Sequence, residues 1–290
     1  MNAIPLEGSP LDLGLCFESG QAFGWECEGG WWRGVTSGRY FRLRVGDGCL
    51  LWEGLPERED NEEYLRHYFR LDCDVSRIYS RLAEADPGLA PLIERWRGLR
   101  ILRQPAEETF FSFMATACNN IPRIKAGLRE LRELCGTPVA EAEGRVWKEF
   151  PSARVIGAQE EDRLTAIRGL AFRGRNMRRC AGSLPADFFP RLRSLDYPGA
   201  RELLTGQPFI GPKLADCICL FGLDFQQAVP VDTHIHQIGV KYFGLPEAPL
   251  SARVYRQTAG AFRDRFGGLA GWAQQFLFLG EIGGDDGQTV

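Results

Sequence analysis

Lysine is scarce in this sequence: of 35 basic side chains only four are lysine, Lys125, Lys148, Lys213 and Lys241. A chain that relies so heavily on arginine has a particular reason wherever it uses an amine, because an amine can lose its proton and attack carbon and a guanidinium cannot. Histidine is scarcer still, with His67, His234 and His236. The last two lie two residues apart and face different sides of a helix, so no zinc set is expected. The nine cysteines are odd in number and include no C-x-x-C pair, which argues against a disulfide framework and fits free thiols in a reducing compartment. No run approaches the roughly 18 apolar residues of a membrane span. The opening MNAIPLEGSPLDLG has neither a basic region nor an apolar core, so a cytoplasmic protein without a membrane partner is expected. Positive charge is not in general excess either. A net charge of −3 and a pI near 5.8 exclude a wholly basic nucleic-acid binder, whose pI would exceed about 9.

What the chain has in quantity is apolar and aromatic side chain, 44% and 11% of 290 residues, enough for sizeable cores. Up to about residue 55 the pattern is β. Arg39 to Val45 alternates at period two, Trp31 to Thr36 is aromatic and β-prone, and Ser37-Gly38 and Gly46-Asp47-Gly48 supply turns. From Asn61 the period becomes helical, and Ile124, Leu128, Leu131 and Leu134 form an apolar stripe that reads as core. Shorter helices are expected near 152–156, 160–167, 173–181 and 197–204. Pro105 marks a restart after a linking stretch from Gly98. The expected fold class is α+β, with an N-terminal twisted antiparallel sheet domain and flanking helices over 1–105 and a mainly helical domain over 106–290. Residues 283–290 read as a floppy end. Charge is uneven: Arg163 to Arg193 holds eight arginines and one acid, Asp187, either a solvated face or a local anion-binding strip.

The most informative stretch is Gly206 to His236, GQPFIGPKLADCICLFGLDFQQAVPVDTHIH. Pro212 suits the first position of a helix running to about Leu223, which puts Lys213 in the opening turn. That is the electrostatically wrong end for a cation. Cys217 lies one turn further along the same face, and Asp232 opens the next helix. Taken singly each has an ordinary explanation: Asp232 as an N-cap, Cys217 as a small buried hydrophobe, Lys213 as a solvated surface residue. Taken together, an amine, a thiol and a carboxylate can converge.

The order and spacing of QPFIGPKLADCICLFGLD and QAVPVDTH resemble the 8-oxoguanine DNA glycosylase branch of the helix-hairpin-helix (HhH-GPD) DNA glycosylase superfamily. The resemblance implies a helical HhH-GPD catalytic domain with its hairpin over about 204–223. It implies a base-excision enzyme that flips 8-oxoguanine out of duplex DNA and excises it through a lysine Schiff base, with β-elimination nicking the strand. Lys213 would be the nucleophile and Asp232 its assistant. Gly20, in SGQAFGW, would offer its carbonyl to the lesion. Cys217, Pro230, Gln274 and Phe278 would complete the base pocket, the last two sitting at i and i+4 on one helix face. Desolvation is expected to depress the Lys213 pKa, and Cys217 to share its proton in an ion pair. FFSFMATACNNIPRI, with Cys118, Asn119, Asn120 and Arg123, is similar to the segment that fills the hole left by the flipped nucleotide. GLAFRGR, with Phe172 and Arg173, is similar to the wedge. Gly211 and His234 would meet phosphates. The implied partner is double-stranded DNA containing 8-oxoguanine, bound by a monomer that would associate with the nucleoid in a prokaryote. No cofactor is expected beyond a monovalent cation at the hairpin once DNA is bound. Only Cys217 and Cys219 follow Cys180, too few for the iron–sulfur loop of some relatives. Three positions depart from the family pattern: Phe209 for the first hairpin glycine, Cys118 for an asparagine and Phe172 for a tyrosine. The last two are expected to weaken a preference for cytosine opposite the lesion. Two alternatives remain at this point, a monofunctional alkylpurine glycosylase and a DNA-binding hairpin without catalysis.

Overall fold

The computed structural model describes residues 1–282; the expected floppy end lies outside them. The N-terminal region is a five-stranded antiparallel sheet in the order β1-β5-β4-β3-β2, built from β1 (Asn2–Pro5), β2 (Trp25–Glu28), β3 (Trp31–Thr36), β4 (Arg39–Gly46) and β5 (Cys49–Leu55). Its alternation is the expected one: Trp32 pairs with Leu43 and Leu43 with Trp52, all three facing the core. A short helix, α1 (Leu13–Glu18), interrupts the expected β stretch. Asp12 caps it by accepting from the Leu15 amide at 2.9 Å, and Phe17 stacks on Trp25 with ring centroids 4.3 Å apart. Beneath the sheet lies α2 (Asn61–Tyr68), whose Tyr68 hydroxyl accepts from the Trp25 indole at 3.0 Å.

The helical body comprises α3 (Val75–Ala85), α4 (Ala90–Arg95), α5 (Ala106–Met114), α6 (Ile121–Cys135), α7 (Ala153–Gly157), α8 (Glu161–Thr165), α9 (Phe172–Ser183), α10 (Phe188–Ser194), α11 (Tyr197–Thr205), α12 (Pro212–Gly222), α13 (Thr233–Phe243), α14 (Ala252–Phe266) and α15 (Ala270–Ile282). Core membership does not follow the expected border at residue 105. Val75, Tyr79, Leu82 and Ile93, from α3 and α4, pack in the large core with Phe262 and Phe276. The sheet, α1 and α2 form a second core.

One hairpin went unforeseen. Strands β6 (Pro138–Ala142) and β7 (Arg145–Lys148) turn at Glu143-Gly144, both at positive φ (54° and 77°), the geometry that two-residue hairpins favour. Trp147 carries the hairpin onto Val35 and Tyr40 of the sheet. Glu149, just beyond it, accepts from the Gly38 amide. Burial and the neighbouring Glu108 push its carboxyl up to about 7. The folded value lies above the unfolded one, so the native protein retains a proton that the unfolded chain has released. This contribution to stability is complete below about pH 4.5 and is lost as the pH rises through 7. Glu149→Gln keeps an acceptor for Gly38. It is expected to match wild type in thermal denaturation near pH 4 and to exceed it at pH 8 by on the order of 1–3 kcal/mol.

Candidate active site

Pro212 stands at the first position of α12 and Lys213 at the second, as the sequence led one to expect. Asp232 caps α13, and its two oxygens divide the work. Oδ1 accepts from the Ile235 amide at 3.0 Å, and Oδ2 lies 3.1 Å from Lys213 Nζ. The capping role and the partnership with lysine are therefore both present in one side chain. The Lys213 side chain is 44% exposed, so the pair sits at a cavity wall with one face open.

The expected depression of the Lys213 pKa is not found. Desolvation does pull it down, but Cys217 and Asp232 push it up and prevail, so the amine titrates above its ordinary value. Burial pushes the Cys217 thiol up to about 12, with Lys213 opposing. Desolvation and an ionised Asp232 act on the amine in opposite directions, and with the carboxylate 3.1 Å away the ammonium is the favoured form.

The cavity above the pair holds about 210 Å³, below the roughly 300–1,000 Å³ of a drug-sized site. Gly20, Asn119, Lys213, Cys217, Pro230, Asp232, Gln274 and Phe278 all line it. Gly20 has φ +79°, with open space where a Cβ would stand, so the backbone conformation and not crowding calls for glycine. Its loop is fastened from both sides. The Gln21 side chain donates to the Arg100 carbonyl at 2.9 Å and accepts from the Leu102 amide at 2.9 Å, and Gln275 donates to the Ser19 carbonyl at 2.8 Å. Gln274 is buried, and its Oε1 has no hydrogen-bond partner among the described residues. A buried amide oxygen left unpaired costs about 1–3 kcal/mol, a cost that a ligand offering a donor would remove. Phe23, Phe113, Phe221 and Gln275 also line the cavity and were not foreseen. All four are buried, and a buried aromatic has the same sequence signature whether it faces core or cavity.

Of the other expected residues all but Asn119 lie outside the cavity lining. Asn120 caps α6, accepting from the Arg123 amide at 3.0 Å, and Asn119 donates to the carbonyls of Ala115 and Gly169, 3.0 Å each. Cys118 is exposed at φ +50°. Phe172 is half exposed, with the Arg173 guanidinium 4.4 Å from its ring centroid. Arg173 is buried and already committed, donating from Nε to the Ala117 carbonyl at 2.6 Å and from Nη2 to that of Cys118 at 2.5 Å. It braces the Cys118 turn, while the Arg123 side chain is exposed and has no partner among the described residues. Part of the basic strip is neutralised: Arg175 and Arg179 both reach Glu161, at 3.0 and 3.7 Å. Gly211 caps α12 with open space around it. Phe209 takes φ +67°, so the hairpin keeps a left-handed residue where the family has glycine, and the ring is 47% exposed. His234 stands edge-on to Phe278, centroids 6.4 Å apart. Among the described residues, no group of three or more His, Cys, Asp or Glu is placed to hold a metal ion, and no helix is long and apolar enough to cross a membrane.

The lysine–carboxylate pair beside the hairpin and below the cavity has the arrangement that the resemblance to helix-hairpin-helix DNA glycosylases implies, and comparison with known proteins identifies the family. Residues 3–110 match the family model described as 8-oxoguanine DNA glycosylase, N-terminal domain. N-glycosylase/DNA lyase OGG1 of Arabidopsis thaliana is 31% identical over 96% of this chain and 80% of its own length. The apo-form of Clostridium acetobutylicum 8-oxoguanine glycosylase/lyase superposes with a TM-score of 0.82 at 27% identity, covering 92% of each chain. The same enzyme bound to double-stranded DNA with cytosine opposite 8-oxoG gives 0.83 at 27% identity, covering 92% of this chain and 90% of that one. The chain belongs to the 8-oxoguanine DNA glycosylase family.

Proposed function

We propose that Lys213 is the nucleophile with which this protein, a bifunctional DNA N-glycosylase/DNA lyase of base excision repair, removes 8-oxoguanine from duplex DNA. The observation that carries this assignment is the 3.1 Å contact between Lys213 Nζ and Asp232 Oδ2 at the wall of the cavity. A base cannot be excised while stacked, so it enters that cavity everted, at a cost of a few kcal/mol. Stacking on Phe278 and hydrogen bonding to Gln274 offset part of the cost. Lys213 enters the reaction as an ammonium and must first lose its proton, for which Asp232 is the acceptor within reach. The free amine attacks C1′. The C1′–N9 bond breaks, its electron pair leaves with the base, and the resulting amino sugar opens to an imine. Loss of a C2′ proton then expels the 3′ phosphate. Once Asp232 has passed the lysine's proton on to the departing base it is a carboxylate again, and it stabilises the positive charge carried by the protonated imine on the sugar. The carbonyls of Pro208, Phe209 and Ile210 accept no hydrogen bond among the described residues, which suits them to hold a monovalent cation beside a DNA phosphate.

The experiment is incubation with an 8-oxoguanine duplex and borohydride, which reduces an imine to a stable protein–DNA adduct. Adduct formation separates this reading from its competitors: a monofunctional alkylpurine glycosylase would release base without one, and a hairpin that only binds would do neither.

Gly20 is assigned the choice of lesion over guanine. The two bases differ at N7, an acceptor in guanine and a donor in 8-oxoguanine, and a fixed carbonyl rewards the donor by about 1–3 kcal/mol. Gly20→Ala strains the left-handed backbone without crowding it. It is expected to reduce excision of the lesion roughly tenfold in competition assays with general duplex affinity kept. Unchanged selectivity in the folded variant would remove Gly20 from the role.

For the base opposite, Cys118 and Phe172 fill space but cannot make the hydrogen bonds of asparagine and tyrosine. With Arg173 committed to backbone carbonyls, Arg123 carries the contact to cytosine. Cys118→Asn with Phe172→Tyr is expected to sharpen discrimination against the other three bases about tenfold, read by single-turnover excision from four duplexes differing only in the opposing base. No gain would show that these positions do not govern that choice.

A further inference from the structure

One buried hydroxyl lies between the two segments that carry the reacting groups. Tyr255, on α14, places its Oη 2.5 Å from Asp216 Oδ2, 3.3 Å from the Val231 amide nitrogen, 3.2 Å from the Pro212 carbonyl and 3.3 Å from the Val229 carbonyl. The phenol has one proton for three acceptors. The carboxylate, nearest by 0.7 Å or more, takes it as a charge-assisted bond. Val231 N–H then donates to the phenol oxygen. A chain results, from the Val231 amide through Tyr255 to the Asp216 carboxylate. Asp216 follows Lys213 by three residues on α12, and Val231 immediately precedes Asp232. Asp216 is fully buried and gripped from its other side by the Tyr197 hydroxyl at 2.8 Å and Arg201 Nε at 2.9 Å, both from α11.

We propose that Asp216 and Tyr255 are positioning residues that set the spacing of Lys213 and Asp232 by tying the lysine's helix to the backbone just before the carboxylate. Stability alone gives little reason for a carboxylate at this depth. A buried ion pair often contributes no more than a well-packed apolar residue of similar volume, although removing one partner costs several kcal/mol. What the network supplies is direction. Its members come from α11, α12, α14 and the loop before α13, so the elements bearing the nucleophile and its partner are locked through one oxygen atom. A misplacement of about 1 Å between reacting groups can lower a rate by roughly 10²-fold.

The proposal rests on the assignment of Lys213 as nucleophile only for its effect on rate; its effect on the pair is measured without DNA. Tyr255→Phe keeps the ring and removes the hydroxyl. The groups facing Lys213 are Cys217 from its own helix and Asp232 from the start of α13, while Gln274 and Gln275 of α15 bring only neutral amides to the cavity. Asp216, Tyr197 and Arg201 surround Tyr255 and not the amine. Because the chain has four lysines, ¹³Cε-lysine NMR resolves each titration, and Lys213→Gln identifies the signal. In Tyr255→Phe the Lys213 midpoint is expected to fall toward that of an ordinary lysine, because Asp232 no longer sits as close. Borohydride trapping with an 8-oxoguanine duplex is expected to slow 10- to 100-fold, with duplex affinity within twofold of wild type. A purely structural role would lower the melting temperature and leave the titration in place. Should Tyr255→Phe not fold, Asp216→Asn, which keeps the shape and weakens the same bond, is expected to move the midpoint in the same direction by less. A wild-type Lys213 titration in a folded variant overturns the proposal. A shifted titration in a protein whose wild type forms no adduct would instead overturn the nucleophile assignment.

Discussion

In Lys213→Gln, base release and the borohydride-trapped adduct are expected to fall by about three orders of magnitude or more, while affinity for a lesion-containing duplex stays within a few-fold of wild type. Glutamine keeps similar volume and can still accept and donate hydrogen bonds, but it has no lone pair basic enough to attack C1′. The side chain is 44% exposed and its ion pair with Asp232 is half open, so little stability is at stake. Melting temperature is therefore expected to be nearly unchanged. Gel-resolved single-turnover excision, trapping and duplex binding together decide the matter. Wild-type release from the variant would mean that Lys213 is the solvated surface residue its type most often is.

Asp232→Asn is expected to slow the chemistry by about 10²–10³-fold and to leave the fold alone. Asparagine caps helices about as well as aspartate, so the Ile235 amide keeps its acceptor. What disappears is the charge that stabilises the developing cation and that raises the Lys213 pKa. The pH dependence follows with a definite sign. Without the carboxylate the amine deprotonates at lower pH, so the alkaline rise in trapping shifts to lower pH even as its ceiling drops. Single-turnover rates measured from pH 6 to 10 test both parts. If the only defect is a lowered melting temperature with a wild-type rate profile, Asp232 is a cap and nothing more.

Much of the site was legible in the sequence because local rules wrote it. Proline at the first helical turn, lysine immediately after it, and aspartate opening the next helix are short-range signals, and the structure has each in that place. The period-two run in Arg39 to Val45 and the apolar stripe of α6 are of the same kind. The elements that went unseen depend on distant contacts. The β6–β7 hairpin has its sheet-facing partner, Tyr40, about a hundred residues earlier. The short helix α1 carries a local aspartate cap, but its Phe17 ring packs on Trp25, Trp32 and Phe69, the last more than fifty residues later.

By itself the sequence placed Lys213 in the opening turn of one helix and Asp232 at the start of the next, since these follow from helix-end chemistry and spacing along the chain, while Gly20 was singled out only by resemblance to the family. The tertiary structure alone decided the charge on those groups. The sign of the Lys213 shift is a contest between desolvation, which depends on depth, and Asp232 and Cys217, which depend on three-dimensional distance. Arg173 was likewise an arginine of the right type in the right segment, and only the folded chain shows its donors spent on the carbonyls of Ala117 and Cys118. Residue type is a property of the chain, whereas protonation and hydrogen-bond commitment belong to the surroundings, and those exist only once segments nineteen and fifty-five residues apart, such as Lys213 with Asp232 and Cys118 with Arg173, have been brought together.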